Sequence, residues 1–104
     1  GEKLYLHVAK LALNMNNNNI GLVVGATKNN QMKAIRECSK GLPWLIPGIG
    51  FQGGSLEDSI KIGSQYNSLP IINVSRGIIY AGDGSLDAIR LAAEDYTEKI
   101  RDIL

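Results

Sequence analysis

Cysteine is almost absent from this chain. Cys38 stands alone among 104 residues, which excludes an intrachain disulfide and a cysteine metal cluster. His7 is the one histidine, and no partner near it in sequence suggests a triad or a metal site. No apolar run approaches the about 20 residues that a membrane span needs. No signal peptide is read ahead of the first helical stretch. Charge of one sign is lacking too: eleven basic and ten acidic side chains are interspersed and leave a net +1. There is no polybasic block for nucleic acid and no acidic solvating tail. These absences fit a reducing cytoplasm, with neither nucleic acid nor a membrane as partner. Apolar residues make up 44% and charged residues 20%, so the chain is globular, one small domain or part of a larger one. Its first residue is glycine rather than methionine, and a fragment of a longer protein is expected.

What is present alternates between two periods. Over residues 2–16, Leu4, Val8, Leu11, Ala12 and Met15 recur at spacings of three and four, which predicts an amphipathic helix with these side chains on one face. The asparagines at 16–19 break that pattern and read as a solvated loop. Apolar stretches at 20–27, 42–47 and 69–75 read as buried strands. Between them lie a helix at 29–39, with Met32 and Ile35 inward, and one from Ser55 to about Tyr66, with Leu56, Ile60 and Gly63 on one side. Ser55 is its expected N-cap, with Asp58 three positions on. A last helix is capped by Ser85 and carries Leu86, Ile89, Ala93, Tyr96 and Ile100 as its apolar stripe.

The order is α-β-α-β-α-β-α. Strands that are apolar at nearly every position have both faces covered, and the alternation predicts a parallel sheet with right-handed crossovers. A doubly wound sheet and a (β/α)8 barrel both satisfy this. Such a barrel takes about 250 residues, and three strands alone leave two sheet edges and an inner face uncovered.

In parallel α/β folds ligands bind beyond the carboxyl ends of the strands. Three loops fall there: "GAT" at 25–27, "PGIGFQGG" at 47–54 and "SRG" at 75–77. The second has four glycines in eight positions. Glycine lets backbone approach a ligand closely, and consecutive N–H groups form a nest for an anion. Gln52 is the side chain there with both an amide donor and an acceptor. Arg76 ends the third strand, and a guanidinium matches two phosphate oxygens at once. A phosphate site in the loops after the last two strands is frequent in barrels.

"GLVVGAT", "LIPGIGFQGG" and "INVSRGIIYA", in this order and at these separations, resemble the C-terminal part of orotidine 5'-phosphate decarboxylase. The similarity is to the bacterial branch that carries G-A-T and P-G-I-G-x-Q-G-G motifs, and it covers nearly the whole chain. The resemblance implies the C-terminal portion of a (β/α)8 barrel, with residues 1–104 as one segment supplying its last three strands. It implies an enzyme converting orotidine 5'-monophosphate to UMP and CO2 in de novo pyrimidine synthesis, without metal or cofactor. It implies that Gln52 bridges phosphate and pyrimidine, that Arg76 grips the phosphate, that Ser75 and Gly77 bring backbone N–H groups, and that Pro47 and Gly48 lie along the base. The implied partners are the nucleotide, the remaining part of the barrel and, once complete, a second copy in a homodimer.

One departure bears on the chemistry. The family's lysine and aspartate network sits in a D-x-K-x-x-D string, and none occurs here. No catalytic residue is therefore assigned in this chain, which alone is expected to be inactive. Lys28 reads as a solvated residue entering a helix. Glu57 and Asp58 suit a helix first turn through its dipole, Trp44 and Tyr80 read as packing residues, and Cys38 shows no sign of activation. Two other readings stand beside this one. A complete half-barrel could bind a phosphorylated ligand without catalysis, although two three-stranded units do not make eight strands. A barrel with another reaction is the third, against which the glutamine in the loop at 47–54 argues.

Overall fold

The computed structural model describes residues 1–50 and 55–104. Its elements follow the expected order: α1 (Leu4–Met15), β1 (Leu22–Val23), α2 (Asn29–Ser39), β2 (Trp44–Ile46), α3 (Leu56–Gly63), β3 (Pro70–Ile72), a short α4 (Arg76–Ile79) and α5 (Leu86–Ile103). The strands pair in parallel in the order β1-β2-β3. They are shorter than the apolar runs that announce them. Extended backbone continues beyond β1, because Val24 N–H donates to Leu45 O at 2.9 Å and Ala26 N–H to Pro47 O at 2.8 Å.

Side chains alternate across the sheet, as the period of two requires. Trp44 and Ile46 are fully buried and pack with Val24, Met32 and Ile62, while Leu22, Ala26, Ile35 and Ile72 close around them. The neighbours on the other face are exposed: Val23 at 69%, Leu45 at 39% and Ile71 at 48%. These three lie in one row, since Val23 pairs with Leu45 and Leu45 with Ile71. This is the uncovered inner face expected of three strands alone, although apolar strands of this kind are built to be covered on both faces. Helices α2 and α3 cover the buried face through Met32, Ile35 and Ile62, and the apolar row opposite has no layer over it among the described residues.

The helix α1 forms as read, but most of its apolar face is likewise uncovered. Ala9 is its buried residue, whereas Leu4, Val8, Leu11 and Met15 are exposed. A barrel helix packs against its own preceding strand as well as the following one, and this chain has no strand before α1. Leu4, Val8 and Ala9 instead border an open apolar groove of about 580 Å³ along β1.

At its start α3 behaves as expected: Ser55 Oγ accepts a hydrogen bond from Asp58 N–H at 3.2 Å. It ends at Gly63 rather than near Tyr66, because Tyr66 and Asn67 take positive φ values of 59° and 56°. Ser85 caps α5 by accepting from Ala88 N–H at 3.2 Å. Ser85 also donates to Asp83, and these hydrogen bonds hold the Asp83 carboxyl below its usual pKa. Ile89, Ala93, Tyr96 and Ile100 of α5 are half-buried as expected, but Leu86 is 86% exposed, being in the first turn beyond the packed surface. The asparagine loop enters β1 at the end remote from the glycine loops. It is ordered by Asn16 Oδ1, which accepts from the N–H groups of Asn19 and Ile20 at 3.2 and 3.1 Å.

Arg36 closes that same end. It is fully buried, with its guanidinium 3.8 Å from the Trp44 ring centroid. Nη1 donates to Lys40 O at 2.6 Å and Leu42 O at 2.9 Å, Nη2 to Gly63 O at 2.8 Å, and Nε to Ile62 O at 3.4 Å. Helix C-termini leave carbonyls without intrahelical partners and carry partial negative charge. One cation therefore satisfies the last turns of α2 and α3 together. Burial pulls its pKa down to about 10, with Tyr66 opposing the shift, so it stays cationic at neutral pH.

Candidate functional site

The carboxyl ends of the parallel strands share one edge of the sheet, and the loops singled out in the sequence start there. The roots of the first two are tied by the hydrogen bond from Ala26 to Pro47. Beyond β2 the backbone turns through Gly48 at φ 94° and Gly50 at φ 86°. Both values lie where a Cβ is strained and glycine is not. Ile49 between them is 6% exposed and pins the loop to the core. Pro47 and Gly48 are half-buried beside it. Gln52, assigned to bridge phosphate and base, lies outside the described residues.

Beyond β3, Ser75 takes the N-cap position of α4 and Arg76 is its first residue. The Ser75 carbonyl accepts from Ile78 N–H at 3.1 Å and Ile79 N–H at 2.9 Å. The first N–H groups of a helix have no intrahelical acceptor. Those of Ser75 and Gly77 take none among the described residues. Ser75 and Arg76 are exposed and Gly77 is half-buried. The fold thus gathers Ser75, Arg76 and Gly77 into one turn, on the strand adjacent to that carrying Pro47 and Gly48.

Tyr96 joins the two loops. A Cβ built on Gly50 would stand 3.0 Å from its hydroxyl oxygen, and one on Gly77 would stand 2.8 Å from the same atom. Sequence periodicity assigned Tyr96 to the apolar stripe of α5, which it does occupy. Periodicity identifies the face on which a side chain starts, but not how far a long phenol reaches past it.

The remaining candidates are structural. Lys28 is exposed at the N-cap of α2. Asp58 accepts from Asn29 Nδ2 at 3.0 Å and Glu57 pairs with Lys61 at 2.7 Å, so the two acids serve helix ends. Trp44 packs, and its Nε1–H donates to Ser39 Oγ at 3.2 Å. Tyr80 does not pack: it is 68% exposed just after the short helix. His7 is exposed and has a neighbour that the sequence did not suggest, Glu2 at 3.7 Å, which also pairs with Lys10. Among the described residues no group of three or more histidine, cysteine or acidic side chains could hold a metal ion. Nor is any helix among them long and apolar enough to cross a membrane.

No protein-family model matches the chain. An orotidine 5'-phosphate decarboxylase from Halobacterium salinarum is 39% identical over 104 residues, covering 98% of this chain and 39% of that protein. The solved structure of Leishmania donovani UMP synthase matches with a TM-score of 0.82 at 42% identity, over 99% of this chain and 23% of that one. That of Leishmania donovani OMP decarboxylase matches with a TM-score of 0.79 at 39% identity, over 99% of this chain and 40% of that one. The likeness is therefore not confined to bacterial proteins. The chain spans about two fifths of the length of the curated relatives it matches. Over nearly every residue, in sequence and in fold, this chain is similar to part of the (β/α)8 barrel of orotidine 5'-phosphate decarboxylases.

Proposed function

We propose that this chain supplies the phosphate-binding, C-terminal part of an orotidine 5'-phosphate decarboxylase, which converts orotidine 5'-monophosphate to UMP and CO2. Arg76 grips the phosphate as a two-pronged donor. Ser75 and Gly77 add backbone N–H groups, and Pro47 and Gly48 flank the pyrimidine. Gln52 spans from phosphate to base, a role that rests on the family resemblance. The lysine and aspartates of the chemical step belong to the rest of the barrel. The completed enzyme is read as a cytoplasmic homodimer.

The turn at residues 75–77 carries this reading. It places a cation and two N–H groups without described acceptors at a strand's carboxyl end, beside the glycine loop of the adjacent strand. Phosphate lies far from the reacting carbon, and binding energy gathered there can hold the ring in its reactive position. The exposed row of Val23, Leu45 and Ile71 supports completion by further strands over a stand-alone three-stranded unit.

The test is a titration of the isotope-labelled chain with UMP and, separately, with uridine, read by backbone amide shifts. Saturable shifts at Gly48, Gly50, Ser75 and Gly77 with UMP, and none of comparable size with uridine, are expected. Dispersed spectra that do not respond to UMP would overturn the reading.

A further inference from the structure

Tyr96 is placed to do more than pack. Its hydroxyl oxygen lies against the backbone of Gly50, where the loop leaves β2, and of Gly77, in the turn that leaves β3. The distances to a Cβ at either position, 3.0 and 2.8 Å, are tighter than ordinary van der Waals contact, and ring carbon Cε2 would be 3.5 Å from the one at Gly77. Glycine at both positions therefore leaves the space that the phenol end occupies. The ring is carried by α5, whose 18 residues begin at the Ser85 cap and which packs against both α3 and α4. It is a stiff post with a loop on either side.

We infer that Tyr96 is a positioning residue that sets the separation between Gly50 and Gly77, so that the two loops hold one phosphate group as a unit. The inference rests on the phosphate-site reading above. A phosphate drawing the turn at residues 75–77 toward itself moves Gly77 against the phenol, and the phenol bears on Gly50 in turn. With the ring removed, each loop is free to settle alone.

UMP titration of the chain separates these cases, using Tyr96→Ala, Tyr96→Phe and Gly77→Ala. In the unaltered chain, the amides of Gly50 and Gly77 should titrate with one apparent Kd. In Tyr96→Ala, affinity should fall roughly tenfold or more, and the Gly50 response should be lost or separate from that of Ser75 and Gly77. Tyr96→Phe keeps the ring but removes the oxygen that meets both glycines, so it should keep the fold, weaken binding in the same direction and separate the Gly50 response from that of Gly77. Gly77→Ala puts a methyl group 2.8 Å from the hydroxyl oxygen and 3.2 Å from Val74 Cγ1, which must push the phenol aside, and should weaken binding in the same direction without changing residue 96. The Trp44 indole resonance, at the far end of the sheet, reports the fold in each variant. If Tyr96→Ala is unfolded by that criterion, Gly77→Ala and Tyr96→Phe decide. A shared titration of unchanged affinity in the folded variants would overturn the inference and leave the phosphate site standing. Absence of any UMP response in the unaltered chain would sink both.

Discussion

At the amino ends of β2 and β3, backbone carbonyls converge on one buried cation. At the carboxyl ends of the same strands, glycines and N–H groups line the surface. Around Arg36 the acceptors of two helix C-termini and of the approach to β2 are all engaged by a single side chain. Around Gly50 and Gly77 the backbone is held in place by Ile49 and Tyr96, yet the N–H groups of Ser75 and Gly77 have no described acceptor. The difference shows how one sheet divides its labour. Hydrogen-bonding capacity used up internally stabilises the fold, and capacity left unused is what a ligand can bind.

The sharpest way to break this comparison is to remove the cation. Arg36→Met should destabilise the chain by about 3–5 kcal/mol, because the buried carbonyls of Ile62 and Gly63 lose this donor and the stacking on Trp44 is lost with it. That is a large part of a small domain's total stability. Arg36→Lys should recover little, since an ammonium on a flexible stem cannot reach the same spread of acceptors as a planar fork. Urea denaturation measures both, and an Arg36→Met midpoint equal to that of the unaltered chain would refute the account of this end.

Arg76→Ala is the mirror image. It should weaken UMP binding by roughly 2–5 kcal/mol if the ion pair is desolvated, and it should move the urea midpoint little, because the side chain is exposed. The comparison fails if the binding loss is absent, or if stability falls as far as it does in Arg36→Met.

Much of this was legible in the sequence, and what was not has physical reasons. The helix starts at Ser55 and Ser85 are local hydrogen-bond patterns and were read correctly. The positive φ values of Gly48 and Gly50 suit a glycine-rich loop. Residues 75–77 were placed by strand ends, which depend only on chain direction. Arg36 was missed because it reads as one more charge on a helix; its carbonyl partners at Ile62 and Gly63 are 26 and 27 positions away. Tyr96 was assigned to the right face without its reach. The stripe of Leu4, Val8, Leu11 and Met15 is exposed; periodicity reports which face is apolar, and cannot report whether the element that covers it belongs to the same stretch of chain. The role of Gln52 was argued from the loop's chemistry and the resemblance alone.

Two smaller changes probe the carboxyl end without touching the proposed ligand contacts. Ser55→Ala removes the α3 cap and should cost about 1 kcal/mol, with UMP affinity changing less than in Arg76→Ala.

Asn29→Ala should do least. It deletes the amide that Asn29 donates to Asp58, a link between the first turns of α2 and α3. Both side chains face solvent there, so water replaces the lost partner and the change should stay within about 0.5 kcal/mol. A much larger loss would mean that this end also depends on side-chain hydrogen bonds for its stability. The division of labour between the two ends would then have to be redrawn, with the α2–α3 link placed beside Arg36 as a second point where the helices are fastened.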